Sequence, residues 1–330
     1  MNRIAKYYAL SFIAFGCVAM AQHKPIDVWI DADPSAGLFA QEVDDALALI
    51  QAFNSPRLHI HGVSIVYGNA TLEDALPIGQ RLTTLFGPKN LPVLPGASAA
   101  SELGQDNPAV IGMAKAITER PMTILALGPV TNIGSLLKIH PELHDHIDRI
   151  IMVAGRRHGQ RFTPNPDRVA AATDFNFEHD PAATQIILDS TIEFVMAPWE
   201  ISSQVWITKE DIDALRGSGE SGDWLASNTT SWIDRWKRRY GVEAFNPFDS
   251  LAIGLLTHPH LIEMIPVTVS IQTLPNDMLK ERPTLKLKEK PYLLVDPDEA
   301  GDRAAVYAHT PKPGFKPLLL DRLRGPAATE

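Results

Sequence analysis

The sequence predicts an α/β fold with a doubly wound, mostly parallel open sheet and flanking helices. From Ile26 onward, short apolar runs rich in strand-forming residues alternate with longer segments of helical periodicity, which is the pattern of repeated βαβ units. The composition, 45% hydrophobic and 21% charged over 330 residues, is that of a water-soluble globular protein with a sizeable core. No linker rich in proline or glycine interrupts the alternation, so residues 22–330 are expected to form one domain.

Six strands and five helices are predicted in alternation before residue 200. Each strand is a short run rich in Ile, Val and Leu, and the expected bounds are 26–30, 58–66, 91–94, 123–127, 149–153 and 193–197. The helices have a period of about 3.6 residues, several with a capping residue or proline at the start, over residues 44–53, 72–86, 109–120, 132–139 and 181–188. Parallel strands joined in this way gather the loops that follow them at one edge of the sheet, where the binding crevice forms.

The later part of the chain is less regular. Residues 222–240 favour a helix whose aromatic side chains, Trp224, Trp232, Trp236 and Tyr240, are expected mainly in the core. Two more strands are predicted at 267–271 and 292–295, and nothing in this tail suggests chemistry. Residues 155–173, which are rich in arginine and contain two prolines, are either a solvated loop or a lid over an active site.

The first 21 residues have the pattern of a secretory signal peptide. Basic Arg3 and Lys6 precede an apolar run, and small residues at Ala19 and Ala21 suit cleavage after Ala21. The run is shorter than the roughly 20 residues that a membrane-spanning helix needs. We therefore expect export to the periplasm or the extracellular space, with a retained anchor, an ordinary first helix or a lipid anchor on Cys17 as alternatives.

Charge and cysteine content exclude several functions. The formal net charge is −9 and no run of Lys and Arg offsets it, so nucleic acid is not an expected partner. Cys17 is the only cysteine, and it lies in the segment expected to be removed. Thiol catalysis, a disulfide framework and a cysteine-ligated zinc site are therefore excluded.

Four carboxylates surround the end of the first predicted strand. Asp31 and Asp33 close the strand, and Asp44 and Asp45 open the following helix. Carboxylates at this density repel each other unless a cation lies among them, and oxygen ligands suit a hard cation such as Ca²⁺ or Mg²⁺. A favourable position at a helix N-terminus would explain Asp44 and Asp45 without a metal, but it does not explain Asp31 and Asp33.

These motifs resemble the inosine-uridine preferring nucleoside hydrolases, a family of calcium-dependent N-ribohydrolases. The likeness begins with Asp31-Ala32-Asp33-Pro34 and Asp44-Asp45, and it covers roughly residues 26–259. Four further motifs follow in family order after successive strands: Tyr67-Gly68-Asn69, Pro95-Gly96-Ala97, Leu127-Gly128-Pro129-Val130-Thr131-Asn132-Ile133, and Asp174-Phe175-Asn176 with Asp180-Pro181. Each motif alone is common, but their order is specific.

The resemblance implies a function and a set of site residues. The function is calcium-dependent hydrolysis of the N-glycosidic bond of ribonucleosides, in purine and pyrimidine salvage, by a homodimer or homotetramer. Ca²⁺ would be held by Asp33, Asp45, Asp249 and the backbone carbonyl of Leu127. Asp33 would also be the general base, with Asn69 and Asn176 as further catalytic residues. Substrate would be bound by Asp44, Asn69, Asp174, Asn176 and Phe248, the first four through ribose hydroxyls.

The chain departs from the family pattern at three places. Residues 35–43 lengthen the segment between Asp33 and the pair Asp44-Asp45, and Asp174 stands where the family has glutamate. Phe248 replaces a histidine that many members place near the leaving base. The proton for that base would then come from another residue, with Arg156, His158, Arg235 and Tyr240 as candidates, or stacking on Trp232 or Trp236 would raise the basicity of a purine.

Two other functions fit parts of the sequence. A nucleoside- or sugar-binding protein that kept the calcium pocket but lost catalysis would explain both Phe248 and the longer loop. A metal-dependent phosphatase also begins with an Asp-x-Asp strand end and uses the first aspartate as nucleophile. Pro34-Ser35 after the pair does not match its usual continuation.

Overall fold

The computed structural model describes residues 24–164, 171–296 and 303–325. Its strands are β1 (Ile26–Ala32), β2 (Leu58–Ile65), β3 (Val93–Pro95), β4 (Met122–Ala126), β5 (Ile147–Met152), β6 (Arg156–Arg157), β7 (Glu193–Met196), β8 (Ile207–Thr208), β9 (Ala244–Phe245), β10 (Ile262–Pro275), β11 (Glu289–Asp296) and β12 (Arg303–Pro311). Its α-helices are α1 (Asp44–Phe53), α2 (Leu72–Phe86), α3 (Pro108–Glu119), α4 (Thr131–Ile139), α5 (Phe175–His179), α6 (Pro181–Asp189), α7 (Trp199–Ser202), α8 (Lys209–Asp213), α9 (Glu220–Asn228), α10 (Thr230–Tyr240), α11 (Ser250–Thr257) and α12 (Phe315–Arg324).

The predicted doubly wound α/β sheet is confirmed. Ten strands form one sheet in the order β3-β2-β1-β4-β5-β7-β12-β10-β11-β6. The first six are all parallel, and only the pairs of β10 with β11 and with β12 are antiparallel. Buried side chains form a core on each face of the sheet: α1, α11 and α12 pack on one face, and α3, α4 and α6 on the other.

The structure places the early elements close to their predicted bounds. Helices α1 and α2 have the expected limits, and strands β1 to β5 and β7 differ from expectation by a few residues at their ends. The expected helix over 222–240 is instead two helices, α9 and α10, that meet at Thr229. Thr229 is buried and its hydroxyl donates to the carbonyl of Leu225 (2.7 Å), so the side chain serves the end of α9.

The sequence pattern missed several elements that complete the sheet and its cover, helix α11 among them. Strands β6 and β12 and helix α12 were not expected, and β10 extends well beyond residues 267–271. The predicted signal peptide, residues 1–21, lies outside the described residues, as do residues 165–170 of the candidate lid. Within the described ranges, no helix is long and apolar enough to cross a membrane.

Candidate active site

A pocket of about 400 Å³ opens at the carboxyl edge of the sheet. Its lining includes residues that directly follow four parallel strands: Asn69 after β2, Leu127 after β4, Val153 after β5 and Trp199 after β7. Side chains from α1, α5 and α10 and from the start of α11 complete the walls. The volume lies within the roughly 300–1,000 Å³ of small-molecule sites, and the position is where doubly wound sheets bind ligands.

Asp33 and Asp45 do not line this pocket themselves, but both contact Asn69, which does. The backbone N–H of Asn69 donates to Oδ2 of Asp33 (2.7 Å), and the backbone N–H of Asp33 donates to Oδ1 of Asp45 (3.1 Å). The Asn69 side-chain amide lies 3.4 Å from Oδ2 of Asp45. The end of β1, the start of α1 and the turn after β2 are thereby joined around two buried carboxylates.

Two glycines allow the backbone to close around Asp33. A Cβ at Gly68 would collide with Oδ2 of Asp33, and a Cβ at Gly128 would press against its Oδ1. The glycines of the Tyr67-Gly68-Asn69 and Leu127-Gly128-Pro129 motifs therefore serve a close approach of main chain to carboxylate. Turn propensity alone does not explain them.

The longer loop between Asp33 and Asp44 is closed at its base by Glu42. Its Oε1 accepts hydrogen bonds from the backbone N–H (2.9 Å) and the hydroxyl (2.8 Å) of Ser35, and its Oε2 accepts from the backbone N–H of Asp45 (3.3 Å). The tip of the loop bends outward, with Phe39 85% exposed. This base contact explains how Asp33 and Asp45 meet despite the additional residues.

Glu42 also adds a carboxylate that sequence analysis missed. It is buried and lines the pocket with Asp44 and Asp249, beside Asp33 and Asp45. Burial and the negative charge of Glu42 raise the pKa of Asp33, Asp44 and Asp249 well above the ordinary value. For Asp45 the causes of the raised pKa are burial and then the charges of Asp33 and Asp249. In the sequence, the only indication of this role was that Glu42 lies two residues before Asp44. The residues around Glu42 form no motif that would assign it to the site.

This cluster fits a hard cation. Oδ1 of Asp33 and Oδ1 of Asp44 are buried and have no hydrogen-bond donor among the described residues. Asp249, at the N-terminus of α11, is buried and likewise receives no hydrogen bond from a described side chain or backbone group. Buried oxygens without donors, held among like charges, are the arrangement that Ca²⁺ or Mg²⁺ would satisfy.

The predicted carbonyl ligand, Leu127, lies beside Asn176. The Asn176 amide nitrogen donates to the carbonyls of Leu127 (2.6 Å) and Val153 (3.0 Å), so it fixes the ends of β4 and β5 relative to α5. Asp174 accepts from the backbone N–H of Gly155 (2.8 Å). Burial raises the pKa of Asp174 to about 6, although the nearby Arg156 guanidinium opposes this shift. Asp174 and Asn176 both line the pocket.

Asp31 has a different role from the other aspartates. Its Oδ1 accepts hydrogen bonds from the Ser64 hydroxyl and from the Asn132 amide (2.9 Å), and the residue does not line the pocket. Asn132 also accepts from the backbone N–H of Ala97 (2.8 Å), so it joins the loops after β3 and β4. Burial raises the pKa of Asp31 to about 7. Asp33 lies beyond the end of β1 at Ala32, so the alternation that would place residues 31 and 33 on one face of a strand does not apply to it.

Aromatic residues form the wall on which a base could lie. The aromatic lining residues are Phe162, Trp199, Trp232, Trp236 and Phe248, and the rings of Phe162 and Trp199 lie 5.2 Å apart. The first part of the candidate lid thus contributes to the wall, through Phe162. The aromatic residues of α10 were expected in the core. Trp236 is buried as expected, and it also lines the pocket.

Two of the four candidate donors for the leaving base lie in the pocket. Arg235 and Tyr240 line it, whereas Arg156 and His158 do not. Arg156 is buried and pairs with Asp277 (2.8 Å), and its guanidinium lies over the ring of Phe162 (4.0 Å). His158 is exposed. The positions of Arg156 and His158 do not support a direct role at the leaving base.

A second group of potential metal ligands lies at the other end of β1. Oδ1 of Asp27 is 2.9 Å from Nδ1 of His59 and 2.6 Å from Nε2 of His61, and none of the three lines the pocket. Hydrogen bonds from His61 and His59 lower the pKa of Asp27 against the effect of its burial. Among the described residues, the ligand atoms of Asp27, His59 and His61 lie close enough to one another to hold a metal ion. This group is separate from the acidic cluster.

The protein has a doubly wound α/β fold, and the pocket at the carboxyl edge of its sheet is acidic and suited to a metal ion. The family model described as inosine-uridine preferring nucleoside hydrolase matches residues 28–290. The chain therefore belongs to this family, as the sequence motifs predicted. It is a hydrolase that acts on the N-glycosidic bond of ribonucleosides.

Individual relatives agree with this assignment. The pyrimidine-specific ribonucleoside hydrolase RihA of Photobacterium profundum is 32% identical over 273 residues, which cover 74% of this chain and 84% of the relative. RihA of Escherichia coli O1:K1 is 27% identical over 328 residues, 91% of this chain and 98% of the relative. Among solved structures, a plant nucleoside hydrolase, PpNRh1, has a TM-score of 0.74 at 23% identity and covers 92% of this chain and 100% of its own. A purine-preferring ribonucleoside hydrolase from Gardnerella vaginalis has a TM-score of 0.72 at 20% identity, covering 90% and 98%. These structures show the shared fold.

Proposed function

We propose that the protein hydrolyses ribonucleosides to ribose and free base with Ca²⁺ bound in the acidic cluster. The observation that carries the proposal is the group of buried carboxylates formed by Asp33, Asp45 and Asp249, of which Asp249 lines the pocket with Leu127. Within this cluster, buried oxygens of Asp33 and Asp44 have no donor among the described residues. These groups would hold the ion together with ribose hydroxyls. When bound, Ca²⁺ would orient the nucleophile and ease its deprotonation.

The residues of the chain would perform the remaining tasks. Asp33 would accept a proton from the attacking water, because its carboxylate contacts Asn69 of the pocket wall and has a raised pKa. Asp44 and Asn69 would bind ribose hydroxyls from one side, and Asp174 and Asn176 from the other. The N-glycosidic bond breaks through a transition state with positive charge on the sugar, which the surrounding carboxylates favour in a pocket shielded from water.

Another residue must assist departure of the base here, because Phe248 cannot donate a proton to it. Arg235 is half-buried in the pocket wall, with its guanidinium 5.6 Å from the centre of the Trp232 ring. A guanidinium stays protonated at neutral pH, so Arg235 would stabilise the negative charge that develops on the base without giving up a proton. Tyr240 is the group that could donate one, and burial raises its pKa.

The test is turnover of three ribonucleosides with and without Ca²⁺. Uridine, inosine and p-nitrophenyl riboside should all release ribose in the presence of Ca²⁺, and EGTA should stop the reaction. The Asp33→Ala variant should lose activity on all three, whereas Asp106→Asn, at an exposed position outside the pocket, should retain it. Failure to cleave p-nitrophenyl riboside, whose leaving group needs no acid, would refute the proposed mechanism.

Phe248 also favours a second function, nucleoside binding without catalysis. In that case, equilibrium titration would show nucleoside binding that depends on Ca²⁺, while no ribose would form from any of the three compounds. Turnover of even the activated riboside excludes this alternative.

We also propose that the protein is exported after cleavage behind Ala21. The support is the charge and hydrophobicity pattern of residues 1–21. Export would expose the site to the higher Ca²⁺ concentrations outside the cytoplasm. Mass spectrometry of protein from cell fractions tests this proposal: a mature chain beginning at Gln22 is expected, and an intact chain confined to the cytoplasm would contradict it.

A further inference from the structure

The pocket is lined by negative side chains from some elements and by positive side chains from others. Glu42, Asp44, Asp174 and Asp249 line it, together with Asn69 and Asn176. Arginines line it from α10, through Arg235 and Arg239, and from residue 282, and no lining residue on α10 or between 278 and 282 is acidic. The protein as a whole has a formal net charge of −9, so three positive side chains at one pocket form a local positive region on a negatively charged protein.

These three arginines have no carboxylate partner among the described residues. Arg156, Arg157 and Arg161 each form an ion pair with Asp277, Glu200 or Glu281 at 2.7–2.8 Å. By contrast, Arg235 donates to a backbone carbonyl, that of Ala40 (2.8 Å), and its guanidinium keeps its full charge. Arg239 and Arg282 are exposed, and no described acidic side chain lies within ion-pair distance of either. The rim charge is therefore available to a ligand.

Further donors lie beside the pocket. Trp199 and Trp236 both line it, and their indole N–H groups are buried and have no acceptor among the described residues. Burial raises the pKa of Tyr240, and the positive charges of Arg239, Arg235 and Arg282 oppose this shift, as expected of three guanidiniums near one residue. Buried donors without acceptors are costly, so a ligand rich in acceptors is the expected occupant.

We infer that the preferred substrates are N-ribosides whose heterocyclic leaving group carries a carboxylate. The inference rests on the proposed function and specifies its substrate class. Arg239 and Arg282 would bind the carboxylate, and Arg235 would lie nearer to the glycosidic nitrogen. For a carboxylated pyridinium riboside, water adds to C1′ and loses one proton, while the electron pair of the C1′–N bond returns to the ring nitrogen. The ring leaves as a neutral pyridine with its carboxylate intact, so no acid is required where Phe248 stands.

The position of the arginines favours a charge on the leaving group over a 5′-phosphate. Arg235 and Arg239 lie on α10 with Trp232 and Trp236, the aromatic surface suited to a flat heterocycle. Asp174, on the ribose-binding side with Asn176, would repel a phosphate placed there. An anion at the ribose 5′ position would therefore meet carboxylates, whereas one on the heterocycle would meet cations.

The test compares nicotinate riboside with nicotinamide riboside, which differ in one carboxylate against one neutral amide. We expect kcat/KM to be several-fold, and up to about 25-fold, higher for nicotinate riboside, because two exposed ion pairs contribute up to about fivefold each. The double variant Arg239→Gln/Arg282→Gln should remove most of this preference, and added salt should weaken it in the wild type. Arg238→Gln is the matched control: Arg238 is an exposed neighbour on α10 outside the pocket, so the preference should be unchanged.

The outcomes separate the inference from the function on which it rests. Equal kcat/KM for the two ribosides, or a preference that survives in the double variant, would overturn the inference and leave the hydrolase assignment intact. A preference for uridine 5′-monophosphate over uridine, with none for nicotinate riboside, would place the anion on the sugar and also overturn it. Failure to cleave any riboside in the presence of Ca²⁺ would refute the proposed function itself.

Discussion

Replacing Asp249 by asparagine is expected to stabilise the metal-free protein and to remove its response to Ca²⁺. Asp249 is buried near Glu42, and no described group donates a hydrogen bond to its carboxylate. Asparagine has nearly the same shape, so the substitution removes one negative charge, and no described donor loses its acceptor. Most substitutions at buried positions destabilise a protein, which makes the opposite sign a specific test.

The size of the effect follows from repulsion within the cluster. Two like charges about 5 Å apart repel by about 3 kcal/mol at an effective dielectric constant of about 20. Because proton uptake by the carboxylates relieves part of this repulsion, we expect a gain of about 1–2 kcal/mol, or about 1.5–3 °C in Tm. Burial and Glu42 hold the folded-state pKa of Asp249 above its ordinary value of 3.8. The unfolded chain therefore loses its proton first, the wild type loses stability as pH rises above about 4, and the advantage of the variant grows with pH.

Thermal unfolding in EGTA and in a Ca²⁺ series measures both effects. At Ca²⁺ concentrations of about 100 Kd the wild type should gain about 2.7 kcal/mol, whereas Asp249→Asn should gain little. Asp106→Asn, at an exposed position, should behave as the wild type in both conditions. A lower Tm of Asp249→Asn in EGTA, or a Ca²⁺ response equal to that of the wild type, would refute the reasoning.

Three further predictions concern the substrate and the floor of the pocket. Because hydroxyl-binding groups would be left unpaired, a 2′-deoxyriboside should lose about 10⁴-fold in kcat/KM relative to the riboside, and equal rates would exclude the ribose assignment. Phe248→His should raise uridine turnover about tenfold or more and change p-nitrophenyl riboside turnover much less, since general acid catalysis contributes typically 10²–10⁴-fold; parallel changes would exclude an acid role. Gly68→Ala should displace the carboxylate of Asp33 and lower Ca²⁺ affinity by at least tenfold, measured by calorimetry, and unchanged affinity would show that Asp33 is not a ligand.

The part of the fold that the sequence could predict is the part with regular periodicity. Helix α1 and strand β1 are local patterns with clear ends, so their bounds and the position of Asp33 beside Asp45 followed from βαβ geometry. Strand β12 pairs with β7 and β10, which lie far from it along the chain, and its residues carry no alternation strong enough to mark it. Pairings of this kind depend on tertiary contacts that a local pattern does not contain.

The same limit applied to the site. Motif order placed Asp174 and Asn176 near Leu127, and the structure brings Asn176 within 2.6 Å of that carbonyl. Glu42 was not found, because a single glutamate in a loop has no periodic or motif context. Its three hydrogen bonds to Ser35 and Asp45 arise only when the loop closes.

The longer loop also connects the acidic part of the pocket to the arginine-bearing wall. Its tip is held by α10, since the backbone N–H of Ala40 donates to the Ser231 hydroxyl (3.2 Å) and its carbonyl accepts from Arg235 (2.8 Å). Its base is held by Glu42, which contacts Asp45. The loop therefore fixes the distance between the carboxylates that would grip ribose and the cation that would face the leaving base. Because both ends are held by hydrogen bonds, the added residues extend the pocket wall and leave the carboxylate cluster assembled.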